Sequence, residues 1–267
     1  MKLHLGRPEP LDYETLISET PDQEFKNLTR STIPLLAYWA SPSERLASIC
    51  HRLDIVVPYD MRLCFEYPVP SVGRAMASFT DIMGISDSIC VAIEGKSTED
   101  NYDSVKDWLA KGGSSRPPVL AHWLELIANK TGIKIHKTNF STFDDVTYQM
   151  IHRTASACAL DKPHTVVVYQ IFDVKQKLPN YKEKLLGLAT AIGAEGKIDI
   201  LLNVIRTHRT KAYETTKKEI KSLEKKDVPQ WVRNAILDGN LFQFDDGSWE
   251  SISKAGIGCE FVCNRVP

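Results

Sequence analysis

The chain has 267 residues, 43% of them hydrophobic, enough to bury the core of one large domain or two small ones. Its 33 Lys and Arg stand against 34 Asp and Glu, so no global basic field draws in a polyanion, and any nucleic-acid site has to be a local patch. No apolar run approaches the ~18 residues of a membrane span, and the start, Met-Lys-Leu-His-Leu-Gly, has no apolar signal core. A soluble, cytoplasmic protein without a membrane partner is expected.

The first thirty residues are polar and Pro-containing and read as an irregular arm. From Leu35 to Leu53, Leu36, Trp39, Leu46, Ile49, Cys50 and Leu53 recur at helical spacing, with Ser41-Pro42-Ser43-Glu44 able to start a new helix. Arg62 to Tyr67 reads as a strand ended by Pro68 and Pro70. A hairpin follows over 80–97, then helices over 101–110 and 119–129 around a Gly112-Gly113 loop. Asp144 to Leu160 is predicted as a stronger helix capped by Asp144 or Thr142. His164 to Phe172 is a continuous apolar strand of the kind found in sheet centres.

Beyond it come a helix over 181–192, a strand over 198–205, a solvated helix over 214–226, and a turn at Asp245-Asp246-Gly247. A short strand over Cys259–Cys263 ends the pattern. The order is that of a mixed α/β protein on one central sheet. No repeat, low-complexity stretch or clear domain boundary interrupts it. Six scattered cysteines, mostly in apolar runs, read as reduced and buried, because Cys259 and Cys263 have no second pair nearby to complete a zinc site.

The hairpin carries the most chemistry. Ile89, Val91 and Ile93 alternate with Cys90, Ala92, Glu94 and Lys96, so Glu94 and Lys96 share a face. With Asp87-Ser88 as the turn, Ser86 faces Ile89 and Asp81 stands opposite Glu94. Directly opposed Cβ atoms are roughly 5 Å apart, where like charges repel. Lys96 relieves part of that repulsion, and a divalent cation would relieve the rest. Glu-x-Lys alone is a common pattern, and Asp173-Val-Lys175, with Asp161 upstream, is a rival at the end of another apolar strand. Glu66 adds an acid on the preceding strand, where a solvent-facing position is the simpler reading. Gln149, His152, Arg153 and Ser156 fall at i, i+3, i+4 and i+7, one polar stripe of a helix.

This combination resembles the PD-(D/E)XK, or restriction-endonuclease-like, nuclease superfamily, with Asp81 as the first acid and Glu94-Gly-Lys96 as the second element. Thr80 stands where a Pro often precedes the acid. The stretches Val91–Lys96 and Tyr148–Ala157 look like an uncharacterised bacterial family placed near those nucleases. The resemblance implies a restriction-endonuclease-like core over about 35–172, with a central mixed sheet flanked by helices. A C-terminal α+β extension over about 173–267 would complete a single domain.

It further implies Mg²⁺, or Mn²⁺, held by Asp81, Glu94 and the Gly95 carbonyl, with Lys96 orienting the attacking water or stabilising the transition state. Gln149 would orient the lysine or water. Arg153, with His152 and Ser156 beside it, would contact phosphate, and Glu66 would be an additional acid. The implied partner is nucleic acid, DNA in the first place, and a homodimer is compatible with it. The alternative is a catalytically inactive nuclease-like module that binds nucleic acid or regulates. A hydrolase centred on His152 is a more distant one. Eight Lys and Arg between Arg206 and Lys226 could track a backbone, but such runs are usually solvated helix faces. Walker, Gly-x-Gly-x-x-Gly, Gly-x-Ser-x-Gly and His-Glu-x-x-His motifs are absent.

Overall fold

The computed structural model describes residues 2–6, 9–72, 77–97, 103–136, 139–172 and 178–254. A seven-stranded sheet runs in simple sequence order: β1 (Lys2–Leu5), β2 (Arg62–Val69), β3 (Ser78–Ile85), β4 (Ile89–Lys96), β5 (His164–Phe172), β6 (Asp199–Arg209) and β7 (Phe242–Ser251). It is mixed. β1 and β2, β4 and β5, and β5 and β6 pair parallel, while β2–β3, β3–β4 and β6–β7 pair antiparallel. Every residue of β4 is buried, as is β5 after His164, as expected of strands covered on both faces.

Helices cover each face. α4 (Val105–Ala110), α5 (Arg116–Thr131), α6 (Tyr148–Cys158) and α7 (Leu178–Ala191) supply Leu120, Trp123, Ile151 and Leu185 to one core, packed on Met83, Cys90 and Ala92. α1 (Tyr13–Glu19), α2 (Thr32–Tyr38), α3 (Pro42–Arg52), α8 (Lys211–Glu219) and α9 (Val228–Leu237) lie on the other face. There Leu16, Trp39, Leu46 and Val232 pack on Ile82, Val91 and Ile93. The period-2 alternation of β4 thus divides the two cores and commits Glu94 and Lys96 to the α6 side. The four cysteines at 50, 64, 90 and 158 are free and buried. Among the described residues no helix is long and apolar enough to cross a membrane.

Several expectations change. The first thirty residues are not an irregular arm: β1 adds an edge strand, and α1 and a 3₁₀ turn at Asp22–Phe25 bury Leu16, Ile17 and Phe25 completely. Arg233 on α9 fastens this segment by donating to the carbonyls of Ile17 (3.2 Å) and Thr20 (2.6 Å). Pro68 does not end β2. It sits beyond the stretch that pairs with β1, where its missing N–H removes no ladder bond on that side.

α6 begins at Tyr148, after Thr147 at the N-cap position, rather than at Asp144, because Ser141–Phe143 forms its own 3₁₀ turn. Asp245-Asp246-Gly247 is no turn either. β7 runs through it, opposite an irregularity between Val204 and Arg206, and a Cβ at Gly247 would fall on the Val204 carbonyl. Trp231 on α9 is 42% exposed. The charged stretch after Lys211 is helical to Glu219, with most of its Lys and Arg exposed. The predicted strand over Cys259–Cys263 and the rival Asp173-Val-Lys175 lie outside the described residues.

Candidate active site at the β3–β4 hairpin

The hairpin closes as its sequence predicts: Ser86 N–H donates to the Ile89 carbonyl at 3.0 Å. Ile85 pairs with Cys90 and Ile82 with Ile93. Continuing that register by one residue sets Asp81 across from Glu94. Asp81 does not rest there alone, because its Oδ2 accepts from the Gly95 N–H at 2.8 Å. On the other side, β2 pairs Phe65 with Ile82 and Tyr67 with Thr80, so Glu66 between them stands across from Asp81. Glu66 holds φ 48°, a left-handed conformation that costs a residue with a Cβ on the order of 1–3 kcal/mol.

Glu94 is the hub of the site. Its Oε1 accepts from Lys96 Nζ and from Gln149 Nε2 (2.8 Å), and its Oε2 pairs with Arg153 Nε. Arg153, 2% exposed, also donates through Nη1 to the Phe79 carbonyl at 2.7 Å, and its Nη2 lies 4.0 Å from Asp81 Oδ1. One buried guanidinium from α6 therefore spans both hairpin carboxylates. Burial alone would raise the Glu94 carboxyl, but the positive charges of Arg153 and Lys96 outweigh it and hold it well below the usual range.

Asp81 is shifted the opposite way. Burial and the Glu94 charge raise it, and Arg153, Lys96 and the Gly95 N–H offset this only in part. Glu66 is raised to about 8 by burial first, then by Asp81 and Glu24. Two carboxyls that resist ionisation thus face each other beside one that is firmly ionised.

These groups line a cavity of about 460 Å³. Its floor is Glu66, Asp81, Glu94 and Lys96, and α6 adds Gln149, His152 and Arg153. The opposite wall is the segment before α2 together with its first residue, with Glu24, Arg30 and Thr32, where Thr32 Oγ1 donates to Glu24 at 2.8 Å. Nothing in the sequence signalled that wall. It reaches the site only because the N-terminal segment packs on the sheet. Ser78 is likewise placed by the fold, 2.8 Å from His152 Nδ1.

The polar stripe of α6 is not a wet face. Gln149, His152 and Arg153 turn into the cavity wall, whereas Ser156 is buried with its hydroxyl donating to the His152 carbonyl at 2.8 Å. Ser156 is therefore away from any phosphate position. Burial and then Arg153 lower the His152 imidazole to about 3, so it is neutral at ordinary pH and does not offer a cation. Gly95 presents its N–H, not its carbonyl, to Asp81, and lies outside the cavity wall. Its missing Cβ accommodates Leu35, 3.1 Å from where that atom would stand.

Residues 9–219 match the family described as a domain of unknown function, DUF6946. The chain belongs to that family. No curated protein and no solved structure matches it. The DUF6946 match contains every residue of the cavity and ends at the last residue of α8, before α9 and β7.

Proposed function

We propose that this chain is a metal-dependent nuclease with a restriction-endonuclease-like core, acting on phosphodiester bonds, in DNA first. One observation carries the reading: Asp81 and Glu94 meet from adjacent strands beside Lys96 in an open cavity, with a buried arginine spanning the pair. Among the described residues no group of three His, Cys, Asp or Glu is arranged around a metal position. The donor set nevertheless suits Mg²⁺ or Mn²⁺, which take a few carboxylate oxygens and keep their own waters.

Asp81 and Glu66 fit best, because their unfavourable ionisation is what a cation would relieve. Glu94 fits only if Lys96 or Arg153 yields one of its oxygens. Bound there, the ion would supply charge for the phosphate and acidity for a water.

The remaining chemistry belongs to the chain. Water attacks phosphorus, the P–O bond to the leaving oxygen breaks, and that oxygen takes up a proton. Lys96, fixed by Glu94, is placed to orient the attacking water or to offset charge growing on the phosphoryl oxygens. Arg153 turns Nε to Glu94 and Nη1 to the Phe79 carbonyl, with Nη2 4.0 Å from Asp81, so its first role is to hold the two carboxylates in register. Arg30 on the opposite wall, with a side chain 40% exposed, is better placed to meet the substrate backbone.

The test is nicking of plasmid and single-stranded DNA with Mg²⁺, Mn²⁺ or chelator. Cleavage that needs the divalent ion and falls at least ~100-fold in Asp81→Ala and Lys96→Ala is expected. A wild type inert with every divalent ion refutes catalysis. One feature favours the second reading, a non-catalytic nucleic-acid-binding module: both oxygens of Glu94 are already engaged by protein groups. DNA retention without cleavage would select it.

A further inference from the structure

A second space shares Lys96 and Gln149 with the large cavity and is otherwise lined by Thr147, Tyr169, Asn180 and Lys184, among others, from β5, α6 and α7. It measures about 10 Å³, close to what a single water occupies by the same measure. Two buried polar atoms at its wall, Tyr169 Oη and Gln149 Oε1, have no hydrogen-bond partner among the described residues. A buried hydroxyl left without a partner is costly, and a chain seldom bears that without return.

Neither atom can escape by turning. Gln149 must keep its NH₂ towards Glu94, since a flipped amide would set oxygen against carboxylate. Tyr169 is 1% exposed and stands beside Glu94 in the β4–β5 register. Burial and the Glu94 charge push its phenol far above the usual range, so it stays a donor.

We propose that this space holds one internal water, accepting from the Tyr169 hydroxyl and the Lys96 ammonium and donating to Gln149 Oε1, and that Tyr169 is thereby a positioning residue for Lys96. Three hydrogen bonds are the usual number for a buried water. The ammonium is then restrained by the water as well as by Glu94, which narrows its position over the cavity floor. The water site stands on this geometry alone. What the positioning achieves rests on the nuclease reading.

Two measurements that do not use cleavage decide it. A high-resolution crystal structure of the wild type is expected to show density within hydrogen-bond reach of Tyr169 Oη, Gln149 Oε1 and Lys96 Nζ. In ¹⁵N-lysine-labelled protein, with the Lys96 ammonium signal identified by its loss in Lys96→Met, Tyr169→Phe is expected to speed its proton exchange about tenfold. No density at the three atoms overturns the proposal. So does an unchanged Lys96 exchange rate in a folded Tyr169→Phe, even if that variant melts earlier. If the variant does not fold, the wild-type density decides alone. Should cleavage be found, kcat is expected to fall about tenfold in Tyr169→Phe with KM unchanged. Should it not, both readouts above remain valid.

Discussion

Glu66→Gln isolates the electrostatic cost of the site. The change keeps size and the left-handed backbone, so it removes charge and little else. In the fold, burial and the neighbouring Asp81 and Glu24 move the carboxyl from 4.5 to about 8. The folded state therefore keeps a proton that the unfolded chain has released, and stability declines as pH rises from about 4.5, the full penalty being reached past about 8.

At about 1.36 kcal/mol per pH unit the ceiling is roughly 5 kcal/mol. Partial exposure to the open cavity and proton sharing with Asp81 reduce this to about 1–3 kcal/mol. Glu66→Gln is thus expected to raise Tm by roughly 3–10 °C at pH 8.5, and to do little at pH 4.5. Thermal unfolding of both proteins across that range is the assay. An equal shift at the two pH values, or destabilisation at pH 8.5, would refute the reasoning.

Arg153→Met leaves Glu94 and Asp81 facing each other without the guanidinium that spans them. It is expected to cost about 3–5 kcal/mol in denaturant unfolding, part of it recovered when Glu94→Gln is added. His152, held neutral to about 3 by burial and Arg153, is expected to show no ring-proton titration by NMR between pH 8 and pH 5. An inflection near 6.5 would mean that water reaches the ring.

The hairpin was legible because its rules are local. Strict alternation from Ile89 to Lys96 and a two-residue turn set both the face and the register, which brings Asp81 opposite Glu94. The apolar run of β5 was legible for the same reason. α6 was half legible: helical spacing grouped Gln149, His152, Arg153 and Ser156, but spacing cannot say whether a polar stripe meets water or a buried acid. The sheet decided that, by placing Glu94 where only a cation and an amide could satisfy it.

Gly247 shows the opposite case. Asp-Asp-Gly is ordinary turn chemistry, yet the approach of the Val204 carbonyl makes glycine the residue that fits a continuous strand.

Sequence by itself determined the α/β class, the central strands, and the Asp81–Glu94–Lys96 alignment, since these follow from backbone periodicity within a few residues. Only the tertiary structure decided that the first thirty residues wall the cavity, that Glu66 faces Asp81, and that Arg153 spans the acids. Each depends on surfaces far apart in the chain being pressed together by burial. Burial also sets which of the carboxyls stays charged, because the penalty for ionising one group is fixed by whatever else has been excluded from water beside it.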